Sequence, residues 1–148
     1  MILAGLVLKM ATYGFLRILI GIFPNESAYF SPLVMVLALI SIIYTSMSCI
    51  RQTDFKQLVA YSSVAHIGVS ILGIFSNTVV GISGGIILSL AHGFTSPALF
   101  FLLGGVIYDR YHTRVIRYYR GLSIYIPLFA AFFFFFSLAN IGTPLTSN

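Results

Sequence analysis

Apolar residues run through this chain in long stretches, with polar residues gathered between them. Five stretches can be drawn, at residues 2–23, 31–50, 58–75, 81–108 and 124–145. None alternates apolar and polar positions as a half-buried strand does, and each is near or above the roughly 20 residues that carry a helix across a bilayer. In lipid only helices and closed barrels satisfy their own backbone, and these runs are too long for barrel strands. The pattern predicts an all-α fold: a polytopic transmembrane helix bundle of about five spans, with the last helix broken. Pro24, Asn25, Glu26 and Ser27 predict a turn after the first span, and Gly142 and Pro144 predict a break within the fifth. Asp54 falls before the third span, where a carboxylate favours the helix dipole.

Composition supports a membrane setting. Of 148 residues, 59% are hydrophobic and 7% charged, against about 25% charged in a soluble domain. The net charge of +5 speaks to topology, because six of the eight basic residues (Arg51, Lys56, Arg110, Arg114, Arg117 and Arg120) fall in two loops on one side. The positive-inside rule puts that side, with the Arg-rich loop at 109–120, in the cytoplasm or the mitochondrial matrix, so the first helix runs from inside to outside. The same arginines can also hold lipid headgroups. No aromatic and basic interleaving marks a nucleic-acid surface. The single cysteine, Cys49, excludes an internal disulfide and a cysteine-based metal cluster. The start lacks the basic region and cleavage site of a secretory signal, and Lys9 stands where its apolar core would be. Phe132–Phe136 exceeds one helix face, so some of its rings are expected to touch lipid.

Polar side chains inside the spans carry the candidate chemistry. A lysine at a helix centre costs about 2.5–3.5 kcal/mol on insertion scales. Lys9 has two readings: its long stem snorkels to the nearby interface, or it is held inside the bundle for a purpose. Gly5 and Tyr13 at i−4 and i+4, with Thr12 at i+3, make its face small and polar. Arg17, two turns on, reads as an interfacial anchor. His66 has Ser62, Ser63 and Ser70 at helical spacing, and His92 has Ser89, Thr95 and Ser96. A lone buried histidine is usually neutral and hydrogen-bonded, but two in hydroxyl stripes beside an intramembrane lysine are parts for a proton relay. Hydroxyls can hold ordered water. Pro97 removes a backbone donor and frees the carbonyl of Gly93, giving either a helix break or a tolerated kink. Haem ligation is the chemical rival for the two histidines, and their hydroxyl-rich settings argue against it. The acids Glu26, Asp54 and Asp109 all lie in loops in this reading, and no phosphate-binding loop, metal motif or nucleophile triad appears.

The blocks LAGLVLKMATYGFLR, IRQTDFKQLVAYSSVAHIG, LAHGFTSPALFFLLGGVIYDRYHTR and FSLANIGTP, which run across essentially the whole chain, resemble one family. This is the antiporter-like membrane subunits of proton-pumping NADH:ubiquinone oxidoreductase (respiratory complex I), whose near relatives belong to multi-subunit sodium/proton antiporters. The resemblance implies part of a larger fold of inverted repeats, covering about its eighth helix to the first half of its twelfth. It implies a proton relay of Lys9, His66 and His92 and a helix break at Gly142 and Pro144; Tyr13, Ser62, Ser63, Ser89, Thr95 and Ser96 are read as its polar lining and Pro97 as a further break or kink. Lys9 matches the central lysine between two half-channels, which disfavours snorkelling. No redox chemistry is expected in this chain: it holds no cofactor or metal, and FMN, iron–sulfur clusters, NADH and ubiquinone belong to other subunits. The implied location is the mitochondrial inner membrane, with loop 109–120 on the matrix side. Partners are the other membrane-arm subunits, lipids and a second chain completing the same subunit. The family's further glutamate and lysine positions fall outside these residues, so the chain reads as a partial sequence or the product of a split gene. Two other readings stay open: a structural fragment of the membrane arm without an active relay, and a component of a sodium/proton antiporter.

Overall fold

The computed structural model describes residues 2–143; Pro144, expected to help break the last span, lies outside them. Among the described residues the fold is helical, with no strand beyond one isolated bridge between Asp54 and Val115. The opening helical run consists of a π-helix Leu3–Val7, α1 (Leu8–Gly14) and a second π-helix Phe15–Ile20. Then come α2 (Pro24–Ile50), α3 (Phe55–Phe75) and α4 (Val79–Phe101). A third π-helix, Leu102–Tyr108, prolongs α4 into the short α5 (Asp109–Tyr111). A 3₁₀ turn Ile116–Tyr119, α6 (Leu122–Tyr125) and α7 (Pro127–Ile141) complete the chain.

Three helices, Pro24–Ile50, Phe55–Phe75 and Val79–Tyr111, are each long and apolar enough to cross a membrane, and Pro127–Ile141 is a shorter apolar helix. Two expectations need correction. The turn at Pro24–Ser27 is instead the first turn of α2, and the chain changes direction at Phe23. Proline at the first helical position loses no needed hydrogen bond, and its fixed φ suits a helix start. Glu26 then faces the positive end of the dipole, and the Ser27 hydroxyl donates to the Pro24 carbonyl at 2.8 Å. The second correction concerns the break at Pro97: α4 continues as helix through it, Val79–Phe101. At the other candidate break, α7 ends at Ile141 and Gly142 turns the backbone left-handed at φ 83°, a conformation glycine adopts without a Cβ penalty.

α3 lies between α2 and α4, and α4 also carries the opening run and α7. Lipid is as apolar as leucine, so association of these helices rests on close packing of small residues and on hydrogen bonds. At the α2–α3 crossing, a Cβ on Gly68 would stand 2.6 Å from Ile42 Cγ1. One end of the α3–α4 crossing is backbone against backbone: a Cβ on Gly73 would meet the Gly81 carbonyl oxygen at 2.8 Å, and one on Gly85 the Ser70 carbonyl oxygen at 2.9 Å. The Ser31 hydroxyl of α2 donates to the last carbonyl of α3, Phe75, at 3.0 Å.

The opposite end holds both basic loops. They are clipped together by Phe55 N–H donating to Arg114 O at 3.1 Å and Ile116 N–H donating to Thr53 O at 2.9 Å. Behind this basic end sits the apolar core of Val59, Leu99, Leu102, Leu103, Ile107 and Phe129. Phe133 and Phe136 pack against it, whereas Phe132, Phe134 and Phe135 point outward.

Neighbouring glycines in α4 should respond in opposite ways. Gly85→Ala drives a methyl into backbone and should destabilise by about 1–3 kcal/mol, as overpacking does. At Gly84 nothing lies within 4 Å of an added Cβ, so Gly84→Ala should be neutral or mildly stabilising through helix propensity. Thermal unfolding of the two variants in detergent checks the contrast; equal melting temperatures would show that the crossing is looser than described.

Candidate functional site

The opening run meets α4 at its smallest residues. Gly5 faces Pro97, whose Cγ would be 2.9 Å from a Cβ on Gly5, and the Gly5 carbonyl oxygen lies 3.7 Å from the Cβ position of Gly93. The missing side chain of Gly93 leaves a notch, and the stem of Lys9 fills it: Lys9 Cε is 3.5 Å from where a Gly93 Cβ would be. The ammonium turns back along its own helix and donates to the Ala4 carbonyl at 3.1 Å. That acceptor lies in a π-helical turn, a geometry that recurs at functional sites. Lys9 is half-buried against α4.

The residue before the notch is His92, only 2% exposed. Its imidazole stacks on that of His66 with ring centroids 4.9 Å apart and an interplanar angle of 29°. Neither ring nitrogen of His92 has a hydrogen-bond partner, nor does the buried hydroxyl of Thr95 one turn on. Buried polar atoms are nearly always satisfied in folded proteins, so a cluster of orphans needs its own account. Lys9 is within electrostatic reach of both imidazoles, and the backbone of Asn140, near the end of α7, reaches His66. Two imidazolium rings at the stacking distance would repel by about 3 kcal/mol at an effective dielectric near 20. The stack therefore holds one positive charge far more readily than two.

One turn toward the basic end, the hydroxyls of Ser63 and Ser96 pair at 3.0 Å, both deeply buried. Ser63 also reaches the Val59 carbonyl at 2.9 Å. The structure thus brings Lys9, His66, His92, Ser63, Thr95 and Ser96 into one group between the opening run, α3 and α4. Ser62 and Ser89 are engaged within their own helices, donating to the Val59 and Ile86 carbonyls at 2.9 Å. Tyr13 is corrected: it is 66% exposed, and the buried polar residue beside Lys9 is Thr12. Sequence spacing put both on the lysine face but gave no reason to prefer the threonine. Gly93 as a lysine notch was also missed; its signal was a glycine directly after His92.

Chemically, the group offers bases and hydroxyls in series and no acid. Among the described residues no cluster of three or more His, Cys, Asp or Glu side chains forms a metal site. A stacked pair whose His92 nitrogens are open, next to a cation, suits proton exchange; it does not present two imidazoles pointing at a common metal.

Comparison with known proteins agrees with this membrane setting. The family model described as NADH:quinone oxidoreductase/Mrp antiporter, TM, matches residues 1–148. Curated relatives named NADH-ubiquinone oxidoreductase chain 4 are 60% identical over 147 residues in Mycosarcoma maydis, 53% over 148 in Candida albicans and 50% over 148 in Yarrowia lipolytica. The matches take in 99–100% of this chain but 30–32% of those relatives, so the chain spans just under a third of their length. The chain belongs to the transmembrane family of NADH:quinone oxidoreductase and Mrp antiporter subunits.

Proposed function

We propose that the chain is part of a proton-translocating membrane subunit of NADH:ubiquinone oxidoreductase and supplies the central lysine–histidine relay of its proton channel. The observation that carries the reading is the buried His66–His92 stack with both His92 nitrogens open, set beside a lysine that occupies a glycine notch. Hydrogen-bond accounting supports it. An ammonium has three donors, and the Ala4 carbonyl takes one of them from Lys9. Lys9 and His92 therefore present unused donors and acceptors at the same place. Water fits both, and water next to a lysine and a single-proton imidazole pair is a route along which protons hop.

In this reading a proton arrives at the Lys9 amine, crosses through water to a His92 ring nitrogen and moves on through water to His66, since the stacked rings share no direct N–H···N bond. Thr95 and the Ser63–Ser96 pair hold the water in place. Redox chemistry belongs to other subunits, which bind NADH, FMN, iron–sulfur clusters and ubiquinone. The protein sits in the mitochondrial inner membrane with the basic end facing the matrix. The remaining helices of the subunit, on the same polypeptide or on a second one, complete the path beside other membrane-arm subunits and lipid.

Replacing Lys9 by alanine should abolish or sharply cut proton pumping through this subunit while the complex still assembles and reduces quinone. Proton-to-electron stoichiometry in proteoliposomes measures it, and an unchanged ratio would refute the relay and favour a scaffold role. Co-purification with flavin and iron–sulfur subunits separates this reading from a sodium/proton antiporter component. Gly93 gives a second handle. Gly93→Leu fills the notch and should reproduce the pumping loss of Lys9→Ala, whereas Gly93→Ala adds only an ordinary van der Waals contact and should pump nearly normally. Equal pumping by the two Gly93 variants would show that the notch does not position the lysine.

A further inference from the structure

The α3–α4 interface is layered, and one layer lies outside the relay. Counting along α3 from the His66 stack toward the basic end come Ser63, Val59 and Lys56; along α4 and its extension come Ser96, Leu99, Leu103 and Gly104. Ser63 pairs with Ser96, and Lys56 Nζ lies 3.7 Å from the Cβ position of Gly104, so the antiparallel register holds over the whole stretch. Between these two contacts Val59, Leu99 and Leu103 are all at most 4% exposed, and they pack in one cluster with Ile107 just beyond. Beneath the cluster Lys56 Nζ stands 4.0 Å from the centre of the Tyr108 ring, and the Arg114 guanidinium carbon stands 4.9 Å from it. Helical rise puts Lys56 roughly 10 Å from the Ser63–Ser96 layer along the axis.

We propose that this layer is a proton seal: Val59, Leu99 and Leu103 keep water from joining the buried hydroxyls to the basic end, and Lys56, beside Arg114 on Tyr108, holds positive charge at the mouth. The proposal rests on the relay reading above. Its physics is that of other pores. An apolar constriction stays dry, a proton needs water or a titratable group to advance, and a fixed cation raises the energy of any hydronium that approaches. A relay of bases and hydroxyls needs such a seal, because an open wet path from the stack to one face would dissipate the gradient. Only about one helical turn separates Ser63 from Val59, so one hydroxyl or amide in the apolar layer is enough to extend the polar column. The opposite end of the same interface is closed by the Gly73–Gly81–Gly85 backbone packing. Protons therefore reach the stack from the side, past the opening run or α7, and not along the α3–α4 seam.

The test uses the whole assembled complex, reconstituted into proteoliposomes and resting without NADH. Passive proton entry is read from an internal pH dye under a potassium diffusion potential, and retention of a trapped fluorescent dye reports that the vesicles stay closed. The Val59→Thr/Leu99→Asn double variant should raise passive proton flux severalfold with the trapped dye retained, and Leu99→Met should not. Lys56→Gln, which leaves the packed layer alone, should raise the flux to a smaller degree. This variant decides the matter if the double variant fails to assemble. No rise in the double variant, or in Lys56→Gln where the double variant cannot be made, overturns the seal. Adding Lys9→Ala to the leaking double variant tells the two readings apart. Loss of the leak supports both the seal and the relay, whereas persistence of the leak upholds the seal and overturns the passage of protons through Lys9.

Discussion

The contact on which the site depends is the crossing of the opening run and α4 at Gly5, Gly93 and Pro97. A lysine in this setting costs about 2.5–3.5 kcal/mol to insert, and among the described residues no carboxylate lies in the opening run, α3 or α4 to offset that. The crossing meets the cost in two ways. It removes side chains from Gly5 and Gly93 so that the lysine stem packs against backbone, and it turns the ammonium toward the Ala4 carbonyl of a π-helical turn. A bulkier residue at Gly93 would separate the helices and move the amine away from His92 together. Charge placement and helix packing are thus one constraint.

The second organising feature is the sorting of buried residues by height along α3 and α4. Backbone-to-backbone glycines close one end, imidazoles and hydroxyls fill the middle, and aliphatic side chains followed by cations close the basic end. A hydroxyl pair such as Ser63–Ser96 also holds two helices together in lipid, but a buried histidine with both nitrogens open makes no such bond. The unpartnered buried atoms of the polar layer, the His92 nitrogens and the Thr95 hydroxyl, lie next to the Lys9 notch. This ties them to the lysine, because stabilising the fold gives no reason to place them at that height.

Much of this was legible in the sequence, and the limits have physical causes. Apolar run length gave the helical class, and intramembrane rarity singled out Lys9, His66 and His92 before any coordinates. Helical spacing identified the hydroxyl stripes. What spacing could not give was the angle at which two helices meet. Hence Tyr13 and Thr12 looked equivalent beside Lys9, although the crossing buries only the threonine. The turn expected at Pro24–Ser27 failed because proline signals both a turn and a helix start, and only the backbone at Phe23 decides which. Pro97 read as a break or a kink because its lost hydrogen bond is local, whereas the packing of its ring against Gly5 is not. The π-helices leave no composition signal at all. Lys56 and Arg114 were counted as topology charges; their meeting on Tyr108 requires two loops to be clipped together.

Charge balance constrains how the proposed relay can work. Lys9 and the histidine stack together carry at least as much positive charge as negative in every protonation state, because all three groups are bases. Glu26 and Asp54 sit at the starts of α2 and α3, and Asp109 begins α5, so the acids of this chain occupy helix ends, away from the stack. Carbonyl dipoles such as that of Ala4 soften the field without cancelling it. A site of bases alone binds a proton most readily when a negative group approaches and releases it when that group is neutralised or withdrawn. If the proposed relay operates, any negative group brought to it acts on Lys9 and the stack through that field.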